Sequence, residues 1–370
     1  MDRQLELLLC QIHQRRYCIL VGNGTTGLCL ALKAHGLAGK KVAIPNGVCP
    51  HVPLSVYLAG ATPIFLDITR KNLGISLSEL KRTADVAAVI AVHSYGVPCE
   101  MVELESYCTE QGIVVIEDMA VAQGANINSR PVGTYGSVSV VSFGAGKVVD
   151  VGDGGALLTD DLQLYNAMAE LNSWLPQYED GFLRNISDLM GYHTQLYNEV
   201  YLARQYHQLP SLFKQRALIT ESSFLYQFAS NKLEKDIYLK LQGLRKLIER
   251  RKNNLLFIFE KLNGFENLGI GLFDFPEGSV PWRCNLLVDE NRDHLLRLLL
   301  KEKFKISSWY PSVDLFFERR SQSLVNTPVS DDISNKILNV WINETVEESY
   351  LNMVSQRIID ICSRGLQVLN

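Results

Sequence analysis

Seven short apolar runs punctuate the amino-terminal part of this chain, and helix-patterned segments separate several of them. The runs are Tyr17–Val21, Lys41–Pro45, Thr62–Leu66, Ala87–His93, Ile113–Glu117, Ser137–Ser142 and Gly155–Thr159. Between them, Gly27–His35, Val52–Leu58, Leu77–Thr83 and Val102–Gln111 carry apolar residues at helical spacing. Strands that are apolar nearly throughout cannot leave one face in water, so both faces of their sheet must be covered, which helix crossovers between parallel strands achieve. The expectation is an α/β fold: a mostly parallel sheet with helices on both faces, its strands and helices running from about residue 17 to about 165. The hydrophobic fraction of 47% over 370 residues is enough to fill such a core and more.

Beyond Leu162 the pattern becomes helical and aromatic. Leu233–Leu262 reads as one long amphipathic helix, with Glu249-Arg250-Arg251-Lys252 on a solvated face. Gly264 and Gly269 break the chain. Asn285–Asp289, Arg292–Lys303 and Lys305–Tyr310 then read as strand, helix and strand, and Thr345–Leu366 as a closing helix. The expected division is residues 1–230 as an α/β domain with a helical insertion about 170–222, and residues 231–370 as the long helix with a smaller α+β domain. No internal repeat is visible.

Several function classes drop out. The formal net charge is −4, which gives no footprint for nucleic acid or an anionic membrane surface. No apolar run approaches the length of a membrane span, and the acidic start Met1-Asp2 is unlike a signal peptide. The eight cysteines show no Cys-x-x-Cys pair, and the seven histidines are scattered, so neither a disulfide framework nor a metal site is expected. These features place the protein in the reducing cytoplasm.

Three features can carry chemistry. Gly22-Asn23-Gly24-Thr25-Thr26-Gly27 leads from the first strand into a helix. Such a turn exposes backbone N–H groups at a positive dipole end and suits a phosphate, although a tight structural turn looks the same. A dinucleotide would want an acidic residue at the end of the next strand, where Ile44-Pro45-Asn46 stands instead. Asp118 ends the strand Val114-Val115-Ile116-Glu117, at the edge where α/β proteins keep their ligands, or else it caps a helix. Lys147 follows Ser142-Phe143-Gly144-Ala145-Gly146 in a stretch of glycine and valine. Desolvation there would free a nucleophilic amine of the Schiff-base kind; an exposed loop lysine is the plainer reading. An amine, a carboxylate and an anion cradle in one α/β domain together suit pyridoxal 5'-phosphate.

These residues resemble the DegT/StrS-type sugar aminotransferases, fold-type I enzymes dependent on pyridoxal phosphate. The resemblance runs from about Val21 to Asp160 and resumes over roughly 226–360. It rests on Asn23-Gly24-Thr25-Thr26, on Pro45-Asn46-Gly47-Val48-Cys49, on His93-Ser94-Tyr95-Gly96, on Glu117-Asp118-Met119-Ala120, and on Ser142-Phe143 with Lys147 and Gly152-Asp153-Gly154-Gly155. It implies that Lys147 carries the cofactor and moves the proton. Asp118 would then pair with the pyridine nitrogen, Asn23, Gly24, Thr25, Thr26 and Ser142 would hold the phosphate, and Gln123 would lie close to the ring. Cys49 stands where many members have an aromatic residue stacked on the ring; Tyr95 or His51 could cover the ring instead, leaving Cys49 in the core. Val121 replaces a frequent glutamine. The segment that the neighbouring subunit lends, Gly-Tyr-Asn-Tyr-Arg in many members, falls at Tyr226-Gln227-Phe228, with Arg184 or Arg204 as possible substitutes for its arginine. The resemblance implies a small-molecule amino donor (glutamate by family habit), a keto-sugar acceptor, possibly nucleotide-linked, and a homodimer with shared active sites. The apolar stretch Phe224–Phe228 adds a surface that needs covering. The same fold also serves lyases, dehydratases and cyclising enzymes, and could serve a non-catalytic regulatory protein.

Overall fold

The computed structural model describes residues 3–177, 225–228, 230–289, 291–317 and 326–368. Arg184, Arg204 and most of the expected insertion fall outside these residues.

The first strands are β1 (Tyr17–Val21), β2 (Lys41–Pro45), β3 (Thr62–Leu66), β4 (Val86–Val92) and β5 (Val114–Asp118). A small hairpin of β6 (Asn126–Ile127) and β7 (Arg130–Pro131) follows, then β8 (Val138–Ser142) and β9 (Gly155–Thr159). Seven of these form one sheet in the order β1-β9-β8-β5-β4-β2-β3. The pairs β2–β3, β2–β4, β4–β5 and β5–β8 are parallel, and β9 runs against both of its neighbours. The carboxyl ends of β1, β2, β4, β5 and β8 therefore open along one edge.

Alternation along each strand feeds two cores. In β4, Ala88, Ile90 and Val92 join the cluster built with Leu28, Leu32, Val52 and Val56, from helices α2 (Gly24–Ala34) and α3 (His51–Leu58). Val89 and Ala91 face the other way, onto Met101, Leu104 and Cys108 of α5 (Met101–Gln111), which follows the single-turn α4 (Leu77–Leu80). Further along that second face, Val141, Ala156 and Leu158 meet Leu5 and Leu9 of α1 (Gln4–His13). Each fully buried aliphatic side chain contributes roughly 1.5–3 kcal/mol by leaving water. Period-2 patterning thus puts helices on both faces, as the sequence predicts.

After α6 (Leu162–Ser173), the expected single helix over 233–262 is two: α7 (Asn231–Gln242), capped by the Ser230 hydroxyl on the Leu233 N–H, and α8 (Leu244–Leu262). Gly243 separates them in a non-helical conformation, the role its low helix propensity allows. A second, antiparallel sheet has the order β10-β11-β13-β12, from β10 (Ile270–Leu272), β11 (Cys284–Val288), β12 (Ile306–Ser307) and β13 (Ile337–Val340). The strand expected over Lys305–Tyr310 is reduced to β12, while β10, β13 and the preceding α10 (Pro328–Lys336) were not anticipated. Helices α8, α9 (Arg292–Lys301) and α11 (Glu348–Val368) cover one face of this sheet through Ile258, Leu296 and Val354, against Cys284, Leu286 and Val288 of β11. Its other face carries Leu287 and turns toward the carboxyl edge of the first sheet, where Tyr95, Val121, Phe273, Trp282 and Tyr310 form the joint.

Candidate active site

The carboxyl edge of the large sheet gathers the residues singled out from the sequence. At the exit of β1, Gly22 donates its N–H to the Tyr226 carbonyl at 3.0 Å, and a Cβ there would stand 2.2 Å from the Tyr226 ring, so only glycine fits. Asn23 caps α2 by accepting the Thr26 N–H on Oδ1 at 2.8 Å. The N–H groups of Gly24 and Thr25, in the first turn, have no intrahelical carbonyl to reach. Gly24 lies against the end of β8: a Cβ on it would be 3.3 Å from Ser142 Cβ and 3.6 Å from Ser142 Oγ. Thr25 Oγ1 is 3.3 Å from His51 Nδ1. This bare helix terminus with a serine and a threonine hydroxyl beside it is an anion cradle.

Two residues expected on the phosphate also make bonds within the frame. Thr26 is fully buried, its N–H goes to Asn23, and its hydroxyl accepts the Tyr226 N–H at 3.4 Å. Asn23 spends its carbonyl oxygen on the cap. Tyr226, expected to be lent by a second subunit, packs within its own chain and donates its hydroxyl to Asp153 at 2.7–2.8 Å. Tyr226 itself is covered in-chain and only 2% exposed, while Phe224 of that stretch lies outside the described residues.

At the end of β5, Asp118 is buried and accepts the Ala120 N–H on Oδ1 at 2.9 Å. Burial pushes its carboxyl above the ordinary range, opposed by that N–H and by the positive charge of Lys147. A carboxylate so placed gains most from a cationic partner. Gln123 is 1% exposed, yet neither its amide nitrogen nor its amide oxygen has a hydrogen-bond partner among the described residues. Buried amides are almost always satisfied, so this orphaned pair fits a polar group that the chain alone does not supply. Burial also pushes the Cys49 thiol up, with Lys147 opposing and Asp118 adding to the effect. Cys49 thus feels the charges of both Lys147 and Asp118. His51 is turned toward Thr25, and Tyr95 is taken into the aromatic joint, its ring 5.4 Å from Tyr310 and 6.2 Å from Trp282.

Lys147 sits on a loop fixed from both sides. The Asp150 carboxylate accepts the N–H groups of Gly146 at 2.7 Å and Gly152 at 3.1 Å. The carbonyl of Gly146 accepts Trp282 Nε1 at 2.6 Å, and that of Lys147 accepts Arg251 Nη2 at 2.9 Å. Arg251 also donates to the Trp282 carbonyl at 2.7 Å. The sequence reading put Arg251 on a solvated face; it is 1% exposed. It sat inside a run of charges, and nothing local separates it from Arg250 and Lys252. Glu117 is a second frame residue: it accepts the N–H groups of Gly133, Tyr135 and Gly136 at 2.6–2.7 Å, and His93 Nε2 lies 3.1 Å away. The Cys99 N–H on His93 Nδ1 holds that ring in the Nε2–H tautomer.

Taken together, the residues fit a phosphorylated pyridine aldehyde: a cradle for its phosphate, a buried carboxylate for its ring nitrogen and an amine for its carbonyl. Among the described residues no cluster of His, Cys, Asp and Glu could hold a metal ion, and no helix is long and apolar enough to cross a membrane.

Known proteins resemble this chain in sequence and in fold. GDP-perosamine synthase of Escherichia coli O157:H7 is 35% identical over 154 residues, which is 41% of this chain and 42% of that protein. UDP-N-acetyl-3-dehydro-alpha-D-glucosamine 3-aminotransferase of Acidithiobacillus ferrooxidans is 32% identical over 181 residues, 47% of each. The matched stretches thus span less than half of these relatives. The solved structure of DesI, in the presence of its TDP-sugar product, superposes with a TM-score of 0.81 at 21% identity, covering 99% of this chain and 86% of DesI. An aminotransferase from Psychrobacter cryohalolentis gives 0.74 at 20% identity, over 98% and 91%. The fold is that of the fold-type I transferases. A family model, that of the DegT/DnrJ/EryC1/StrS aminotransferases, matches residues 2–232, the stretch that holds the cradle, Asp118 and Lys147, and the chain belongs to that family.

Proposed function

We propose that this chain is a pyridoxal-phosphate-dependent aminotransferase that takes an amino group from an amino acid, glutamate by family habit, and gives it to the carbonyl of a keto sugar, nucleotide-linked as in the relatives named above. The observation that carries this reading is the buried, orphaned Gln123 amide in a chain whose buried Asp118 and Cys49 both feel the charge of Lys147. When bound, the cofactor supplies an electron sink for the carbon that carries the migrating nitrogen. The chain's own residues do the rest. The Gly24 and Thr25 N–H groups and Ser142 Oγ hold the phosphate, and Asp118 keeps a proton on the ring nitrogen. Lys147 Nζ attaches the cofactor and moves the proton of the substrate carbon. Cys49 would face the ring and leave that side roomier than an aromatic would. The working unit is a cytoplasmic homodimer with active sites shared between subunits, which sedimentation at assay concentration checks.

Borohydride reduction of the holoprotein followed by peptide mapping tests the assignment. The cofactor's mass should appear on the peptide containing Lys147, and Lys147→Ala should hold the cofactor non-covalently and lose at least about 1,000-fold in amino transfer. Label on Lys40 or Lys41 would overturn the assignment. L-Glutamate should bleach the bound cofactor's visible band and 2-oxoglutarate should restore it; a band unmoved by any amino acid would favour a non-catalytic protein.

A further inference from the structure

Two hydroxyls flank the bare terminus of α2, and they differ in what holds them. Ser142 Oγ accepts the Gly144 N–H at 3.4 Å. A backbone amide only donates, so it occupies a lone pair of that oxygen and leaves the serine proton to point elsewhere. Thr25 Oγ1 has an imidazole in the corresponding place, His51 Nδ1 at 3.3 Å. A ring nitrogen donates or accepts according to where its proton sits. With a proton on Nδ1, His51 donates and Thr25 keeps its own hydroxyl proton free. With Nδ1 bare, Thr25 gives that proton to the ring and turns only lone pairs toward the cradle.

The fold fixes the imidazole against the cradle. His51 opens α3, whose Val52 and Val56 pack in one cluster with Leu28 and Leu32 of α2, so the starts of the two helices are set against each other. The Val52 N–H on the Cys49 carbonyl at 2.9 Å and the Leu54 N–H on the Pro50 carbonyl at 3.2 Å hold the turn that carries the ring. At His93 the tautomer is decided within the chain, because the Cys99 N–H occupies Nδ1. At His51 the group on Nδ1 is a hydroxyl, which suits either direction, so a ligand on the hydroxyl decides. A phosphate monoester at neutral pH is anionic and offers mainly acceptor oxygens, and a hydroxyl that presents lone pairs repels it. Binding therefore selects the arrangement in which both hydroxyls donate. We propose that His51 is a positioning residue of the phosphate site: its Nδ1–H donates to Thr25 Oγ1 and commits the Thr25 proton to the bound phosphate. This rests on the reading above, in which the start of α2 and Ser142 receive the cofactor's phosphate.

Nitrogen NMR on protein labelled at its histidine rings reads which ring nitrogen carries the proton, and the signal lost in His51→Asn assigns His51. With inorganic phosphate or pyridoxal 5'-phosphate bound, His51 Nδ1 should carry a proton; a bare Nδ1 in the phosphate-bound protein would overturn the proposal. Affinity gives a second measure. His51→Leu should weaken pyridoxal 5'-phosphate about 5-fold and leave pyridoxal, which lacks the phosphate, unchanged. His51→Asn places an amide donor near the position of Nδ1 and should recover most of that loss. In a Thr25→Val background the leucine change should add nothing, because the hydroxyl it acts through is gone. Equal losses for the two ligands, or for leucine and asparagine, would make the ring a packing group only and overturn the proposal. The amino-transfer reading fails separately. Phosphate bound with Nδ1 protonated, in a protein that captures no cofactor on Lys147, keeps the role of His51 and sinks that reading. Capture on Lys147 with Nδ1 bare does the reverse, and a protein that binds neither phosphate ligand overturns both.

Discussion

The two sheets contribute to the candidate site in opposite ways. The parallel sheet delivers its groups from strand ends and the turns just beyond them: Asp118 and Ser142 close their strands, and the Gly24 terminus, Cys49 and Lys147 follow theirs by a few residues. The antiparallel sheet and its helices deliver Arg251 and Trp282 from distant stretches of chain, and they reach the site through backbone carbonyls of the Lys147 loop. The first sheet holds the reactive groups, and the second fixes where one of them stands. A sequence pattern detects the first arrangement because it is local. The second depends on contacts more than a hundred residues apart.

That contrast can be attacked from either side. The largest effect is expected at Arg251. Arg251→Ala strands the carbonyls of Lys147 and Trp282 and should cost about 3 kcal/mol in denaturant unfolding, while also slowing covalent capture of the cofactor. Capture at the wild-type rate in a folded variant would mean that the second sheet does not set the lysine's position. A smaller effect, with two signs, is expected at Asp118. Its carboxyl is raised by burial above its unfolded value, so ionising it works against the folded apoprotein. Stability from this group is therefore present at low pH and lost as pH rises through the folded value. Asp118→Asn should raise the melting temperature of the apoprotein at pH 7, an advantage that fades as pH falls to the ordinary aspartate range near about 4. The same change should weaken cofactor binding about 10- to 100-fold by removing a charged hydrogen bond. An apoprotein no more stable at pH 7 would show that Asp118 is already compensated within the chain. The smallest effect is at Cys49. Cys49→Phe should tighten cofactor retention by up to roughly tenfold through ring stacking. Unchanged retention with a lower melting temperature would assign Cys49 to the core between Ile68 and Tyr95 instead.

The main sheet could be read from the sequence because its strands are β-branched runs bounded by turns, and four of the seven have the expected ends. The order of motifs along the chain also located Asp118 and Lys147 at one edge. Other features could not be read. Thr26 looks like a phosphate ligand in a Gly-Thr-Thr string, and only the fold shows that its hydroxyl oxygen also accepts the Tyr226 N–H. Arg251 is indistinguishable from its charged neighbours until α8 is rotated against β11. The stretch Pro328–Val340 mixes polar and apolar residues without a clean period, because α10 and β13 bury Ser330, Ser334 and Asn339 beside Ile333 and Leu338. Gly243 interrupts a helical pattern that otherwise runs on unbroken, and a single glycine is compatible with either outcome.

The pinned carbonyls on either side of Lys147 have a kinetic meaning. With Gly146 and Lys147 held by Trp282 and Arg251, and the loop closed by Asp150, the backbone beneath the lysine has little freedom, and the ammonium moves only through its own four-carbon arm. A group tethered so briefly to a fixed point is present at an effective concentration on the order of 1 mM or more within its reach. Were Lys147 to carry the cofactor as proposed, each return of its amine would be an encounter within one molecule, faster than a free amine at cellular concentration could manage.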